Sequence, residues 1–232
     1  MTLVSDLLTG IGGGVELINS QTFTTTGTWN KPAAADPDDL AEIILWGAGG
    51  GAIDTAKAGG GACNRQFVRV RDLPSSVSAI VAAASVVTST AVDGATSEFW
   101  KFKAYGGAGA YSTQRGAGGG ILGPPAGFRG GPPGGGYTDS DFRQTPGKWG
   151  GGSGQDVTWG VSHTEYGGAG GDGSSIWGGA GGDGTSIYGG NGATNSTDAQ
   201  APGGGGKFGG GLPNSRRNGA RGEIRVKIWR GI

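Results

Sequence analysis

The chain has 232 residues, of which 56 are glycine and 34 % are hydrophobic, and its formal net charge is zero. That composition leaves too little apolar material for a core running through the whole chain, and the missing basic excess argues against nucleic acid or an anionic membrane surface as partner. One cysteine, Cys63, leaves no intrachain disulfide framework, and no apolar run approaches the length of a membrane span.

In residues 1–18, Leu3, Val4, Leu7, Leu8 and Ile11 fall at helical spacing before Gly12-Gly13-Gly14 ends the pattern. The spacing predicts a short N-terminal helix whose apolar stripe is either a docking and oligomerisation surface or a frayed end. The start lacks the basic residues of a signal peptide, so the expectation is a soluble chain made in the cytoplasm. From Gln21 the pattern changes to β. QTFTTTGTWNKP, LAEIILW, FVRVR, VSAIVAAASVV and EFWKFKAY are each β-branched, aromatic or alternating, and each ends at a turn signal. The final GEIRVKIW alternates Ile224, Val226 and Ile228 against Arg225 and Lys227, and has no neighbour in sequence to pair with. It must return to the early strands, so residues 19–105 and 222–232 are predicted to form one all-β, sandwich-like core, with residues 106–221 a long glycine-rich excursion from it.

Within that excursion Tyr166, Trp177 and Tyr188 recur every 11 residues, and most other non-glycine residues between them fall at every third position. A period of three is the turn of a polyproline-II or polyglycine-II helix, whose amides find no partner within their own strand. Nine residues in that form make an arm about 28 Å long. The remaining pairs Ser175-Ile176 and Ser186-Ile187 are too short to run back along it, which predicts antiparallel arms, leading side chains on exposed faces, and Trp177 at the opposite end from Tyr166 and Tyr188. A flexible linker would not keep aromatics in register. A calcium-binding β-roll needs a period of nine and a large apolar residue where Ser174 and Thr185 stand. No metal or cofactor is expected.

Three stretches interrupt the glycine with ordinary side chains, at 137–149, 155–166 and 195–202, and should form loops at the ends of the arms. Their aromatic and polar residues Tyr137, Phe142, Arg143, Trp149, Trp159 and His163 are the candidates for contact with a receptor, because sugars are held by aromatic faces and a few directed hydrogen bonds. The alternative is that some of these rings cap the arms. His163 and Cys63 are the only histidine and cysteine. Cys63 follows three glycines beside a strand, where a small semi-buried residue is the ordinary explanation, and Asp139 and Asp141 sit in a polar turn that favours Asp for backbone reasons. The chain is therefore not expected to be an enzyme. Arg216, Arg217 and Arg221 read as solvated loop charges. An ice-binding polyglycine bundle would want small residues on its flat face, and large aromatics argue against it.

The segments TFTTTGTWNKP, EIILWGAGGG, LPSSVSAIVAAASVV, TSEFWKFKAYGGAG and GARGEIRVKIW, taken in that order, resemble the glycine-rich minor tail proteins of bacteriophages that infect mycobacteria and related actinobacteria. The opening MTLVSDLLTGIGGG is similar to the start of such proteins. The resemblance implies a virion component at the distal tail with an adhesin role toward a host glycan or envelope component. It also implies other tail proteins as partners, with a homotrimer expected from tail symmetry. A tail-tip spacer without receptor contact is the structural alternative.

Overall fold

A computed structural model of the chain describes residues 14–53, 56–111, 116–125, 149, 164–170, 173–194, 197–206 and 217–231. The apolar stripe from Leu3 to Ile11 lies outside them. Two four-stranded antiparallel sheets form the expected core. One sheet has the order β1 (Glu16–Phe23), β8 (Glu223–Arg230), β3 (Leu40–Trp46), β4 (Cys63–Arg69), and the other β2 (Gly27–Asn30), β5 (Ser76–Ile80), β6 (Ser97–Phe99), β7 (Phe102–Ala104). The last strand does return to the first ones, lying between β1 and β3. Trp29, Ile43, Leu45, Phe99, Ile224, Val226 and Ile228 are fully buried between the sheets. LAEIILW is apolar without alternation because β3 is covered on both faces. EFWKFKAY, which reads as one alternating strand, is instead the β6–β7 hairpin, reversing at Trp100 in the left-handed region at φ 54°.

Strands run directly into the glycine-rich region without losing register. Gly47 and Gly50 donate to Ala62 and Gly59, continuing the alignment of Trp46 with Cys63. Gly49 and Ala52 donate to Ala220 and Arg217, continuing that of Trp46 with Glu223, and Gly94 donates to Gly107, continuing that of Ser97 with Ala104. Residues 58–62 form the axis of the assembly that results. Their N–H groups, with that of Cys63, donate in turn to Gly206, Ala108, Ala169, Gly203, Tyr105 and Tyr166 at 2.7–3.0 Å, so that every third donor returns to the same neighbour. The carbonyls of residues 57–62 accept in turn from Gly116, Gly182, Gly50, Gly119, Gly179 and Gly47, again with period three. Six segments thus surround this one. Such bonding is possible only for a threefold extended helix.

Spacing this close leaves no room for a side chain on most faces. A Cβ built at Gly60 would overlap the Gly179 carbonyl, and one at Gly59 the Ala117 carbonyl. Methyls occur only at particular sites, and Ala58, Ala108, Ala117, Ala169 and Ala180 are all buried. The expectation that leading side chains such as Ala169 and Ala180 face outward is therefore corrected.

The arms between Tyr166 and Thr194 also differ from expectation. Successive repeats are parallel, not antiparallel, because the chain reverses within the repeat that begins at Trp177. Trp177 to Gly182 runs outward, Asp183 turns at φ 59°, Gly184 donates back to Gly181, and the chain returns through Ser186, which lies parallel to Ser175 as Ser175 does to Thr164. The triplet count treated Asp183 as part of the arm, whereas Asp between glycines tolerates a left-handed turn. The arm is about half the expected length, and successive repeats stack.

The axis fixes a clear hierarchy for glycine substitution. Gly60→Ala should cost about 3 kcal/mol or more, since only backbone displacement relieves the overlap, whereas Gly14→Ala, with nothing near its Cβ, should change stability by less than about 0.5 kcal/mol. Denaturant unfolding of the two variants checks this.

Candidate functional site

Stacking of parallel repeats has a direct consequence for the aromatics. Tyr166, Trp177 and Tyr188 come together in one column, with ring centroids 5.8 and 4.0 Å apart and planes 2° and 18° from parallel. Trp149 extends the column by stacking on Tyr166 at 4.3 Å. The expectation that Trp177 sits at the opposite end from the two tyrosines is thereby overturned. Beside the aromatics runs a second row: the hydroxyls of Ser175 and Ser186 donate to the carbonyls of Gly167 and Gly178 in the preceding repeat, at 2.9 and 2.7 Å, and Thr164 donates to Gly167. The signal for both rows was present in Thr164-Glu165-Tyr166, Ser175-Ile176-Trp177 and Ser186-Ile187-Tyr188. Only the reversal inside each repeat was missing.

The column is fastened to the outer face of the β1–β8–β3–β4 sheet. Trp177 packs on Ile44, Trp46 and Cys63, and the Trp46 indole N–H donates to the Trp177 carbonyl at 2.7 Å. Arg65 lies 5.0 Å from the ring centroids of both Trp177 and Phe67 and is held by Glu42, at 2.8 Å from its Nε. Burial raises the Tyr166 phenol above its usual value, with the Glu165 carboxylate adding to the effect. Cys63 is wholly buried, and burial pushes its thiol far up while Arg65 and Arg225 offset only part of that shift. A neutral thiol sealed under a tryptophan is a packing group.

Of the six residues singled out for receptor contact, Trp149 is the one the structure describes. Tyr137, Phe142, Arg143, Trp159 and His163 lie outside the described residues. Of the described positions next to them, Trp149 stacks on Tyr166 and Thr164 donates to Gly167. Trp149 is still 37 % exposed, but one ring face is already used.

The two poles of the molecule carry different groups. At the sandwich end, Glu16 pairs with Arg230 and Gly14 lies beside Gly231, next to an open cleft lined by Asp36, Asp38, Asp39, Arg69, Arg71 and Arg230. The far end is marked by Ala52, Lys57, Ala110, Gly182, Ala193, Gly206 and Arg217, and the turn at Asp183 lies there. There Tyr111 and Val86 are well exposed, Lys57 meets Asp183 at 2.9 Å, and Arg217 meets Asp198 at 2.9 Å. Among the described residues no group of His, Cys, Asp and Glu is arranged to hold a metal ion.

With this geometry in view, comparison with known families is informative. A family model described as a glycine-rich domain matches residues 19–229. The chain belongs to the glycine-rich domain family. The match spans the sandwich and the glycine-rich excursion together, in keeping with strands that continue into the axis without a break in register. Comparison with curated proteins finds no match for this glycine-rich domain.

Two outcomes follow. Trp177→Ala should cost about 2–3 kcal/mol, because it empties the middle of the column and uncovers Trp46, whereas Tyr188→Ala at the exposed end of the column should cost under about 1 kcal/mol; thermal unfolding distinguishes them. At the sandwich pole, the Arg230 guanidinium holds the Asp39 carboxyl below its usual 3.8, against the opposing effect of burial and with help from the Asp36 amide. A lowered folded value gives stability that is complete above the unfolded pKa and disappears as pH falls through the folded one. Asp39→Asn should therefore be less stable at neutral pH and lose less stability on acidification below about pH 4, as measured by unfolding across that range.

Proposed function

We propose that this glycine-rich domain is a structural component of a phage tail tip, one that holds a host-binding surface away from the particle. The observation that carries the reading is the separation of poles across a stiff axis. Gly14, which follows the apolar stripe in sequence, lies beside Gly231 at one end, and the turn at Asp183 lies at the other. Between them the backbone groups of residues 58–62 are all bonded to surrounding segments, which makes a short but rigid spacer. The resemblance of the β segments to minor tail proteins supports the same reading, with Leu3, Val4, Leu7, Leu8 and Ile11 as the surface that meets other tail proteins or assembles a trimer.

The ligand on this reading is a host glycan or another envelope component. At Trp149 the observed stacking favours a structural role, so the spacer alternative has a specific observation behind it at that residue. Envelope fragments from a susceptible actinobacterial host provide the test. The purified chain should bind them saturably, with or without residues 2–14, while phage particles encoding the shortened chain should fail to incorporate it. Absence of envelope binding, together with normal adsorption of particles that lack the protein, would contradict the proposal.

A further inference from the structure

Among the described residues, the outer face of the β2–β5–β6–β7 sheet takes no part in the core or the aromatic column. Alternation along its strands directs Thr28 and Asn30 of β2 and Ser76, Ser78 and Ile80 of β5 to solvent, and register sets Thr28 opposite Ser78 and Asn30 opposite Ser76. Glu98 of β6 lies opposite both Ile80 and Lys103, and its carboxylate meets the Lys103 ammonium at 2.9 Å. A shallow cleft of about 290 Å³ opens here, with Ser76, Ser78, Ile80, Glu98 and Trp100 along its walls.

Trp100 is the unusual member. It occupies a hairpin position with φ 54°, where glycine would be free of strain. In a chain that uses glycine for nearly every close approach, a tryptophan has been placed where glycine would cost least. Lys101 lies 4.1 Å from the centroid of its ring and Phe102 meets it edge to face at 5.6 Å, which fixes the indole while leaving it 37 % exposed at the cleft. Strain of this kind persists where the surroundings hold it, and it concentrates at functional positions.

We propose that this face binds a neutral glycan, with the Trp100 indole stacking on the apolar side of a sugar ring and Ser76, Ser78 and the β2 side chains Thr28 and Asn30 bonding its hydroxyls. Neutrality follows from the cleft walls, whose one carboxylate, Glu98, is paired with Lys103 at 2.9 Å, while the Lys101 ammonium is set over the indole and not in the wall. Short side chains on a flat sheet suit a ring whose hydroxyls project around its edge, and an exposed indole suits its C–H face. The proposal rests on the host-surface reading and names the chemistry of one contact.

The full chain should be titrated with short neutral gluco-, manno- and galacto-oligosaccharides and with heparin as an anionic control, following tryptophan fluorescence and heat. One neutral class should bind saturably and heparin should not. Trp100→Gly should keep or raise the melting temperature, since it removes the positive-φ strain, and weaken binding about tenfold or more; Ser78→Ala should weaken it less. Failure of every neutral oligosaccharide to bind, or Trp100→Gly binding as tightly as the parent, would overturn the site. If Trp100→Gly still binds host envelopes normally, this site falls while the tail-tip reading stands; loss of both sugar and envelope binding in that stable variant supports the two together.

Discussion

The structure depends on the backbone hydrogen bonds of residues 58–62. A glycine-rich chain has little apolar surface with which to oppose the entropy of ordering, on the order of 1–2 kcal/mol for each residue fixed. Its available resource is the peptide group. By taking a threefold extended form, each N–H and carbonyl points to a different neighbour in rotation, and one segment can serve six others. Glycine is required less for flexibility here than for the absence of a side chain. The most flexible residue type becomes the most constrained part of the fold because it permits the shortest distance between backbones.

Such an assembly needs a template, and the sandwich supplies it. β3, β4 and β8 carry their register directly into residues 47–52, 58–62 and 217–222, so the sheet holds these three segments in alignment. Trp46 marks the change of period. Up to that residue side chains alternate between two covered faces, and beyond it the chain repeats every third residue. The aromatic column fastens the outer repeats back onto the same sheet through Trp177, Trp46 and Arg65. Sandwich, axis and column therefore depend on one another, which agrees with a family match running through all three.

Much of the sandwich was legible in the sequence because strand burial has a period of two, and Ile224, Val226 and Ile228 display it. The return of the last strand followed from its having no local partner. The threefold character of the glycine region was legible in its triplets, but the direction of its arms was not. That choice turned on Asp183, whose left-handed conformation splits its repeat, and a period alone does not distinguish a turning aspartate from one on an arm. The column of Tyr166, Trp177 and Tyr188 follows once repeats are parallel and is lost if they alternate. The turn at Trp100 is hidden for a similar reason: alternation through EFWKFKAY masks a hairpin that a glycine would have advertised.

A rigid axis between the sandwich end and the end that carries the Asp183 turn is the physical basis of the proposed tail role, which therefore requires the axis to be ordered. Native-state hydrogen exchange measures this directly. The amides of Gly59, Gly60 and Gly61 should exchange only through global unfolding, with the same protection as Ile43 and Leu45 in the sandwich. Exchange of those glycine amides at the rate of an unstructured linker, while the sandwich stays protected, would contradict it.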